Sequence, residues 1–453
     1  VEHCESGLAR RIAAVETPAS INQSCCQRVF LSLPGSRIGV PSNALEKPLS
    51  QILLITISGE DHPGVTAGIT EILAVHGVNI LDIGQAVIHA TLSMGVLAEI
   101  PDQCDRHQVT SDVERCVAQQ GMQARISEVK ERSYAEWVNA QGRARYIVTL
   151  LARKITAHQL SRVTEVVSRH GLNIDSINRL SGRIPLGDLP ALSKACVEFS
   201  IRGPLSDSSV FRRDLLEVAS ALEVDLAFQQ DNMYRRNRRL VAFDMDSTLI
   251  EAEVIDELAA RAGVGEQVSA ITERAMRGEI DFSESFRERV ALLRGLEESA
   301  LQQIAGELKI SEGAEHLIST LRALGYKTAI LSGGFTYFAH YLQEKLGIDY
   351  VHANELDIEN GKVTGRVTGK IVDGERKARL LRRLADDEGL DLQQVIAVGD
   401  GANDLPMLST AGLGIAFRAK PLVKQSAEQS ISTLGLDAIL YLLGFSDRYQ
   451  QHS

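Results

Sequence analysis

Cysteine is absent from the C-terminal half of this 453-residue chain: Cys4, Cys25, Cys26, Cys104, Cys116 and Cys196 all precede the acidic stretch at Asp244. That half therefore cannot house a cysteine-nucleophile phosphatase or a cysteine protease, whose chemistry needs a thiolate. The six that exist show no zinc-ligand spacing. Positive charge is also short, with 48 Lys and Arg against 59 Asp and Glu and a net charge of -11, so nucleic acid would be repelled in bulk. No apolar run approaches the length of a membrane span, and residues 1–30 lack the cationic start and apolar block of a secretory leader. The expectation is a cytoplasmic protein that binds neither membrane nor nucleic acid. No methionine precedes Met94 and the chain opens on Val1, which suggests a non-standard start codon or a shortened chain.

What is present describes a globular, mildly acidic protein, 44% hydrophobic and 24% charged, too long for one ordinary core. Residues 1–48 mix Ser, Pro, Gly and scattered charge without helical or strand period and read as a poorly ordered tail. Then a repeat appears. ILLITISGEDHPGVTAGITEILAVHGVNILDIGQ (52–85) lies without a gap over YIVTLLARKITAHQLSRVTEVVSRHGLNIDSINR (146–179). His76, Gly77, Asn79 and Ile80 match His170, Gly171, Asn173 and Ile174, and the two glycines stand where a left-handed residue ends a helix. Each copy continues with an alternating strand (Val87 to Glu99; Ala195 to Ile201), a helix and a last strand (Gln123 to Val129; Val224 to Gln229), giving two βαββαβ units. Arg169-His170-Gly171 imitates a histidine-phosphatase signature, but its match to Val75-His76-Gly77 marks it as a helix end. The basic run Arg235, Arg236, Arg238, Arg239 reads as a solvated linker.

The pattern resembles ACT domains, small regulatory modules that bind amino acids, and the resemblance implies an amino acid effector and a homodimer formed through these units. The copies differ where a ligand would sit. The first has Asp61-His62-Pro63-Gly64 between strand and helix, a turn whose glycine lets backbone N–H groups approach a carboxylate. The second has Ile155-Thr156-Ala157-His158. Asp61, Gly64, Asn79 and Asp82 are the effector-site candidates, and the first copy is read as the sensor, the second as structural. The alternative is that both copies are dimerisation scaffolds.

Beyond the repeat, Leu240-Val241-Ala242-Phe243 is a continuous apolar run, the pattern of a strand buried on both faces of a parallel sheet. Asp244 and Asp246 follow, two residues apart, so their side chains would leave one face beyond the strand's carboxyl end, where open α/β sheets bind ligands. Two carboxylates so close imply a divalent cation or acid–base work, and by themselves they are equally compatible with a polar turn. From Val254 to about Leu308 the period is helical throughout, an insertion able to cap the site. The sheet resumes with Tyr326 to Leu331, ending in Ser332-Gly333-Gly334, a plausible cradle for phosphate. A hairpin at Glu359-Asn360-Gly361 leads to a helix from Gly374 to Glu388, with Lys377 against the helix dipole near its start. A third apolar strand, Val395 to Val398, runs into Gly399-Asp400-Gly401-Ala402-Asn403-Asp404, a set of hard oxygen donors suited to magnesium.

DMDST, LSGG, Lys377 and VGDGAND, in that order, resemble the four motifs of the haloacid-dehalogenase superfamily, and residues 239–447 closely resemble its phosphoserine phosphatase family. The resemblance implies hydrolysis of O-phospho-L-serine, the last step of serine biosynthesis, with Asp244 as nucleophile and Asp246 as acid and base. It further implies Mg2+ held by Asp244, Asp400 and the backbone carbonyl of Asp246. Ser332, Gly333 and Lys377 would hold the phosphate, while Asn403 and Asp404 would orient metal-bound water and Lys377. Glu253 and Arg289 would take the substrate's ammonium and carboxylate, under Met276 and Phe282 as apolar lid. Open alternatives are a phosphatase for another small phosphomonoester and an amino-acid-sensing regulatory protein. The expected fold is α/β, with a doubly wound parallel-sheet, Rossmann-like domain at 236–447 and a helical cap at about 254–308. Two α+β ACT-like domains, at 49–132 and 143–231, would precede it.

Overall fold

The computed structural model describes residues 51–140, 142, 144–183, 187 and 192–449, and the tail expected over 1–48 lies outside them. The chain divides into two units at Trp137/Val138.

In the first unit, strands β1 (Gln51–Glu60), β2 (Asn79–Ile88), β3 (Thr91–Ile100) and β4 (Gln123–Val129) form an antiparallel sheet in the order β2-β3-β1-β4. Alternation along β1 turns Leu53, Ile55 and Ile57 inward. They meet Val65, Ile69 and Leu73 of helix Val65–Val75 and Val109, Val113 and Val117 of helix Arg106–Gln119, each set spaced to share one helical face. The strand expected from Val87 begins later, at Thr91. His89, at φ 56, reverses the chain, so Val87 belongs to the preceding strand of a hairpin.

The second unit opens with the same topology, β5 (Arg145–Ala152), β6 (Asn173–Arg179), β7 (Ala195–Arg202) and β8 (Asp225–Gln230) in the order β6-β7-β5-β8. The shared histidine has the same partner type in both copies. His76 Nε2 lies 3.0 Å from Asp112 Oδ2, and His170 Nε2 lies 2.9 Å from Asp214 Oδ2, each tying the end of one helix to its neighbour. His170 is therefore a structural residue.

Seven strands make the last sheet: β9 (Leu240–Phe243), β10 (Lys327–Phe335), β11 (Tyr350–Glu359), β12 (Lys362–Thr368), β13 (Val395–Gly399), β14 (Leu413–Phe417) and β15 (Gln429–Ile431). Their order is β12-β11-β10-β9-β13-β14-β15, parallel except for the β11–β12 hairpin. Asn360 and Gly361 turn that hairpin with φ 53 and 74, the pair of positive angles that matches strand twist. Strand β9 is buried on both faces, with Val241 and Phe243 in one core and Leu240 and Ala242 in another. Because the chain leaves β9 toward β10 on one side and returns as β13 on the other, the carboxyl end of β9 is a topological switch point. Helices Val254–Ala262, Gly265–Met276, Phe282–Leu292 and Glu298–Glu307 are inserted between β9 and β10. Among the described residues no helix is long and apolar enough to cross a membrane.

The second repeat is fastened to this sheet. The basic run expected to be a solvated linker is buried at two of its arginines: Arg235 pairs with Glu198, and Arg238 donates to Gln393 O at 2.9 Å, while Arg153 makes two 2.8 Å bonds to Glu312. Gln429 of β15 accepts from Phe228 N at 2.8 Å and donates to Phe228 O at 2.6 Å, imitating strand pairing across the junction with β8. Gln429→Leu keeps the volume but orphans two buried backbone groups, each worth roughly 1–3 kcal/mol. The expected outcome is a lower urea midpoint than wild type; an unchanged midpoint would show that the junction adds nothing to stability.

Candidate active site

Asp244 immediately follows β9, with its backbone N–H still bonded to Val398 O of β13 at 2.9 Å. Because β13 runs parallel beside β9, Asp400 at its end arrives on the same side as Asp244. Asp244, Asp400 and Asp404 each offer a carboxylate oxygen, all within 4.8 Å of one another. Into this cluster comes Lys377, fully buried, its Nζ 2.9 Å from Asp244 Oδ2 and 2.7 Å from Asp404 Oδ1. Burial disfavours the ammonium, but the two carboxylates outweigh it and hold Lys377 above its ordinary range. Helix Gly374–Asp387, which presents it, has Asp373 as cap, accepting from Arg376 N at 2.8 Å.

One ammonium does not balance three carboxylates. Burial, then the Asp244 charge, pushes Asp400 up to about 8 and Asp404 up to about 7. Both oxygens of Asp404 are engaged, one by Lys377 and the other by Gly401 N at 2.9 Å. Asp400 accepts from Thr248 Oγ1 at 3.2 Å. A crowded, hard-oxygen set of this kind fits a magnesium ion, with Asp244 and Asp400 the carboxylates placed to hold it. The carboxyl of Asp246 is turned elsewhere, accepting from Val254 N at 3.1 Å. Burial, with Glu253 and Asp244 nearby, raises it well above the carboxylate range, which favours its protonated form.

Glycines allow this crowding. A Cβ on Gly399 would lie 2.4 Å from Asp404 Cγ, and one on Gly401 would lie 2.2 Å from Asn403 Oδ1. Asn403 is half-buried, its carbonyl 2.5 Å from where a Gly374 Cβ would stand. The extended backbone of β10 continues through Ser332-Gly333-Gly334 to Phe335, past the expected end at Leu331, with an irregularity in its pairing to β11 there. Ser332 is fully buried, its Oγ accepting from Gly334 N at 2.9 Å.

In the cap, Phe282 reaches the site: its Cζ would be 3.0 Å from a Cβ on Gly333, and its ring is stacked on Phe286. Arg289 is half-buried and carries a contact of 3.4 Å from Nε to Ser285 O; burial lowers its basicity against the opposing pull of Asp256, Glu253 and Asp246. Glu253 accepts from Ser247 Oγ at 2.9 Å, and desolvation raises its carboxyl against that bond. Met276 is 67% exposed at the end of its helix.

The effector candidates are not gathered into one cavity. Asp82 lines a 460 Å³ cavity with Leu54, Tyr134 and Trp137, whereas Asp61, Gly64 and Asn79 do not. Asn79 instead donates to Glu99 Oε2 at 3.1 Å.

Two residues, Thr248 and Asn354, escaped sequence reasoning, and Gly334 enters it only as part of the phosphate cradle. Thr248 touches Asp400, and its position beside DMD in DMDST was the available clue. Gly334 faces Asp246, since a Cβ there would stand 2.5 Å from Asp246 Oδ2. Asn354 of β11, 2% exposed, donates to Gly333 O and accepts from Val372 N, both at 2.8 Å, bracing the Ser332 loop against the segment that leads to Lys377. A lone asparagine inside a strand gave no clue to that.

The fold and the carboxylate cluster define a haloacid dehalogenase-like hydrolase, and the family of that description matches residues 238–412, with ACT domain families matching 51–127 and 144–229. A phosphoserine phosphatase of Streptomyces coelicolor is 41% identical over 87% of this chain and 92% of its own. One from Mycobacterium tuberculosis is 42% identical over 88% and 94%. An unliganded crystal structure of a probable phosphoserine phosphatase from Vibrio cholerae superposes with a TM-score of 0.54, 35% identity, and coverage of 69% of this chain and 90% of its own. The chain belongs to the phosphoserine phosphatase family, enzymes of the phosphoric monoester hydrolase class.

Gly334→Ala forces the new methyl against Asp246, and Asn354→Ala frees the Ser332 loop. Phosphatase turnover is expected to fall about 10²-fold in each, the scale of a misplacement near 1 Å, with folding intact by circular dichroism. Gly306→Ala, where a Cβ meets nothing within 4 Å, serves as control and should match wild type.

Proposed function

We propose that the chain hydrolyses O-phospho-L-serine to L-serine and phosphate, with magnesium, through a phosphoaspartate on Asp244, as the last step of serine biosynthesis in the cytoplasm. The observation that carries the reading is the pairing of two unlike carboxyls beyond one strand: Asp244, bonded to the buried Lys377, and Asp246, its carboxyl raised by burial. The first is held in place by the ammonium for attack, the second is turned toward the cap, where it can give a proton to the leaving oxygen.

Asp244 attacks phosphorus and the bond from phosphorus to the serine oxygen breaks, with Asp246 protonating that oxygen. Asp246, now ionised, takes a proton from water, whose oxygen attacks the phosphoaspartate and releases phosphate and the Asp244 carboxylate. Lys377, Ser332 Oγ and the Gly333 backbone neutralise and position the phosphate oxygens, which share negative charge as the bonds exchange. Asn403 orients water, and Asp404 keeps Lys377 in place. Magnesium bound by Asp244, Asp400 and the Asp246 carbonyl would supply positive charge opposite the phosphate.

The substrate assignment is supported by the names of the relatives and by the cap, where Arg289 and Glu253 carry opposite charges within electrostatic reach of each other. Asp244→Asn should abolish phosphate release by several orders of magnitude without unfolding, and chelation of divalent cations should do the same reversibly. Arg289→Ala should lose on the order of 2–5 kcal/mol toward phosphoserine and much less toward an aryl phosphate. Equal losses on both substrates would withdraw the phosphoserine assignment.

We further propose that serine or another amino acid binds the first ACT domain and modulates the enzyme, in a homodimer formed through the ACT domains. The helix starts support a division of roles. Helix Val65–Val75 begins at Gly64, φ 100, with no side-chain cap, while helix Ala157–Arg169 is closed by a Thr156–Gln159 capping box. Gly64→Val should weaken the remote effect of serine by roughly 5–150-fold while leaving competitive product inhibition as it was. Identical serine responses in variant and wild type would reduce the duplicated region to a scaffold.

A further inference from the structure

A cavity of about 1020 Å³ borders both the second ACT domain and the phosphatase sheet, away from the carboxylate cluster, and nothing in the reaction above uses it. One wall is helix Ser208–Leu222 and the other is the segment from Pro421 to Thr433, which carries β15. Its volume is that of a site for a ligand well beyond a single phosphate ion.

Its polar groups are mismatched in one direction. Arg212 lines the cavity, and its Nε is buried without a hydrogen-bond partner; Ser432 lines the opposite wall, and its Oγ is buried and equally unpartnered. Burying such atoms unpaired costs free energy that a bound acceptor would recover. Lys424, half-buried, adds a further cation, and Arg213 borders the cavity but is exposed. Asp225 also lines the cavity; its two oxygens accept from Ser432 N at 2.9 Å and Thr433 N at 2.7 Å, and its charge is felt by Lys424. Glu217 and Glu223 also border the cavity but are exposed. Leu216, Val224 and Leu226 supply apolar wall between these groups. The unmet demand is thus for an acceptor of hydrogen bonds bearing negative charge, joined to an apolar body.

We propose that this cleft is a binding site for a small organic anion, a carboxylate or phosphoryl head on an apolar body, gripped by Arg212, Lys424 and Ser432. Because Arg212 belongs to the ACT domain and the other two to the phosphatase domain, an occupant bridges the two and stabilises their docking. The inference does not depend on the reaction assigned above.

The test uses the full chain and titration calorimetry with 3-phenylpropanoate and phenylphosphonate, one for each head chemistry, and inorganic phosphate and benzyl alcohol as head and body alone. At least one of the two organic anions should bind with Kd below about 1 mM, and binding should persist in Asp244→Asn, which removes a group of the active site. Arg212→Gln and Lys424→Gln singly, and Arg212→Glu with Lys424→Glu together, should weaken it, the double variant by about tenfold or more, with phosphoserine turnover unchanged. The singles keep the test decisive should the double variant misfold. Lack of binding by both organic anions, binding of phosphate alone, or binding that ignores all three variants would overturn the proposal.

Discussion

A fully buried ammonium held between two carboxylates is the constraint on which the phosphatase end of this molecule depends. Lys377 sits at the start of a helix, where the dipole opposes it, in a place no water reaches. Only Asp244 and Asp404 together make that position tolerable, since removing one partner of a buried ion pair leaves an uncompensated charge, typically costing 3–5 kcal/mol. The demand propagates outward. Asp404 can fold back onto Lys377 only because Gly399 lacks a side chain, Gly401 leaves room for the Asn403 carboxamide, and the Asn403 backbone carbonyl can pack against the lysine's own helix only because residue 374 is also glycine. Three glycines that look like loop punctuation are thus spaces reserved for Asp404 and Asn403 beside the lysine.

The same cluster shows how a charge imbalance can be useful. Lys377 is shared between Asp244 and Asp404, and burial, then the Asp244 charge, leaves Asp400 raised to about 8, a carboxylate that a divalent cation would relieve. Asp244 is not isolated by this arrangement, because one of its oxygens faces Lys377 and the other accepts from Met245 N at 2.7 Å. Asp246 lies two residues on, against Gly334 and the cap's first helix, where burial governs it. Two aspartates in one tripeptide therefore occupy opposite electrostatic environments, which is what separate nucleophile and acid roles require.

Much of this was legible in the chain because the chemistry is carried by short segments at strand ends. The apolar run before Asp244, the run before Ser332 and the run before Asp400 each announce a buried parallel strand followed by polar residues. What could not be read was adjacency. That β13 lies beside β9, bringing Asp400 to Asp244, is a property of strand order. Asn354 was invisible for the same reason: it links Gly333, 21 residues away, to Val372, 18 residues away, and neither separation leaves a local pattern. The His-Gly pairs of the repeat were correctly read as helix ends, yet their Asp112 and Asp214 partners depend on how two helices pack. The strand start misplaced at Val87 failed on a single non-glycine residue in the left-handed region, His89, which propensity places in no particular turn.

The duplicated region also shows how one fold acquires two surroundings. The strand β4 of the first copy alternates between exposed and half-buried residues, whereas its counterpart β8 is buried over Asp225 to Gln229, because Gln429 and the backbone of residues 432 and 433 cover it. The second copy is further tied by an ion-pair ladder, Arg153 to Glu312, Glu312 to Arg418, and Arg418 to Glu251. Glu251 stands two residues before Glu253, so the ladder ends on the loop that carries a substrate-binding candidate. A ligand that shifted the docking of the second copy would act on this ladder directly, since each pair shares a residue with the next and none can move without loosening its neighbour. The first helices of the two copies also start differently: Ala157–Arg169 is closed by a capping box, whereas Val65–Val75 begins without a side-chain cap and leaves its N–H groups unclaimed by one.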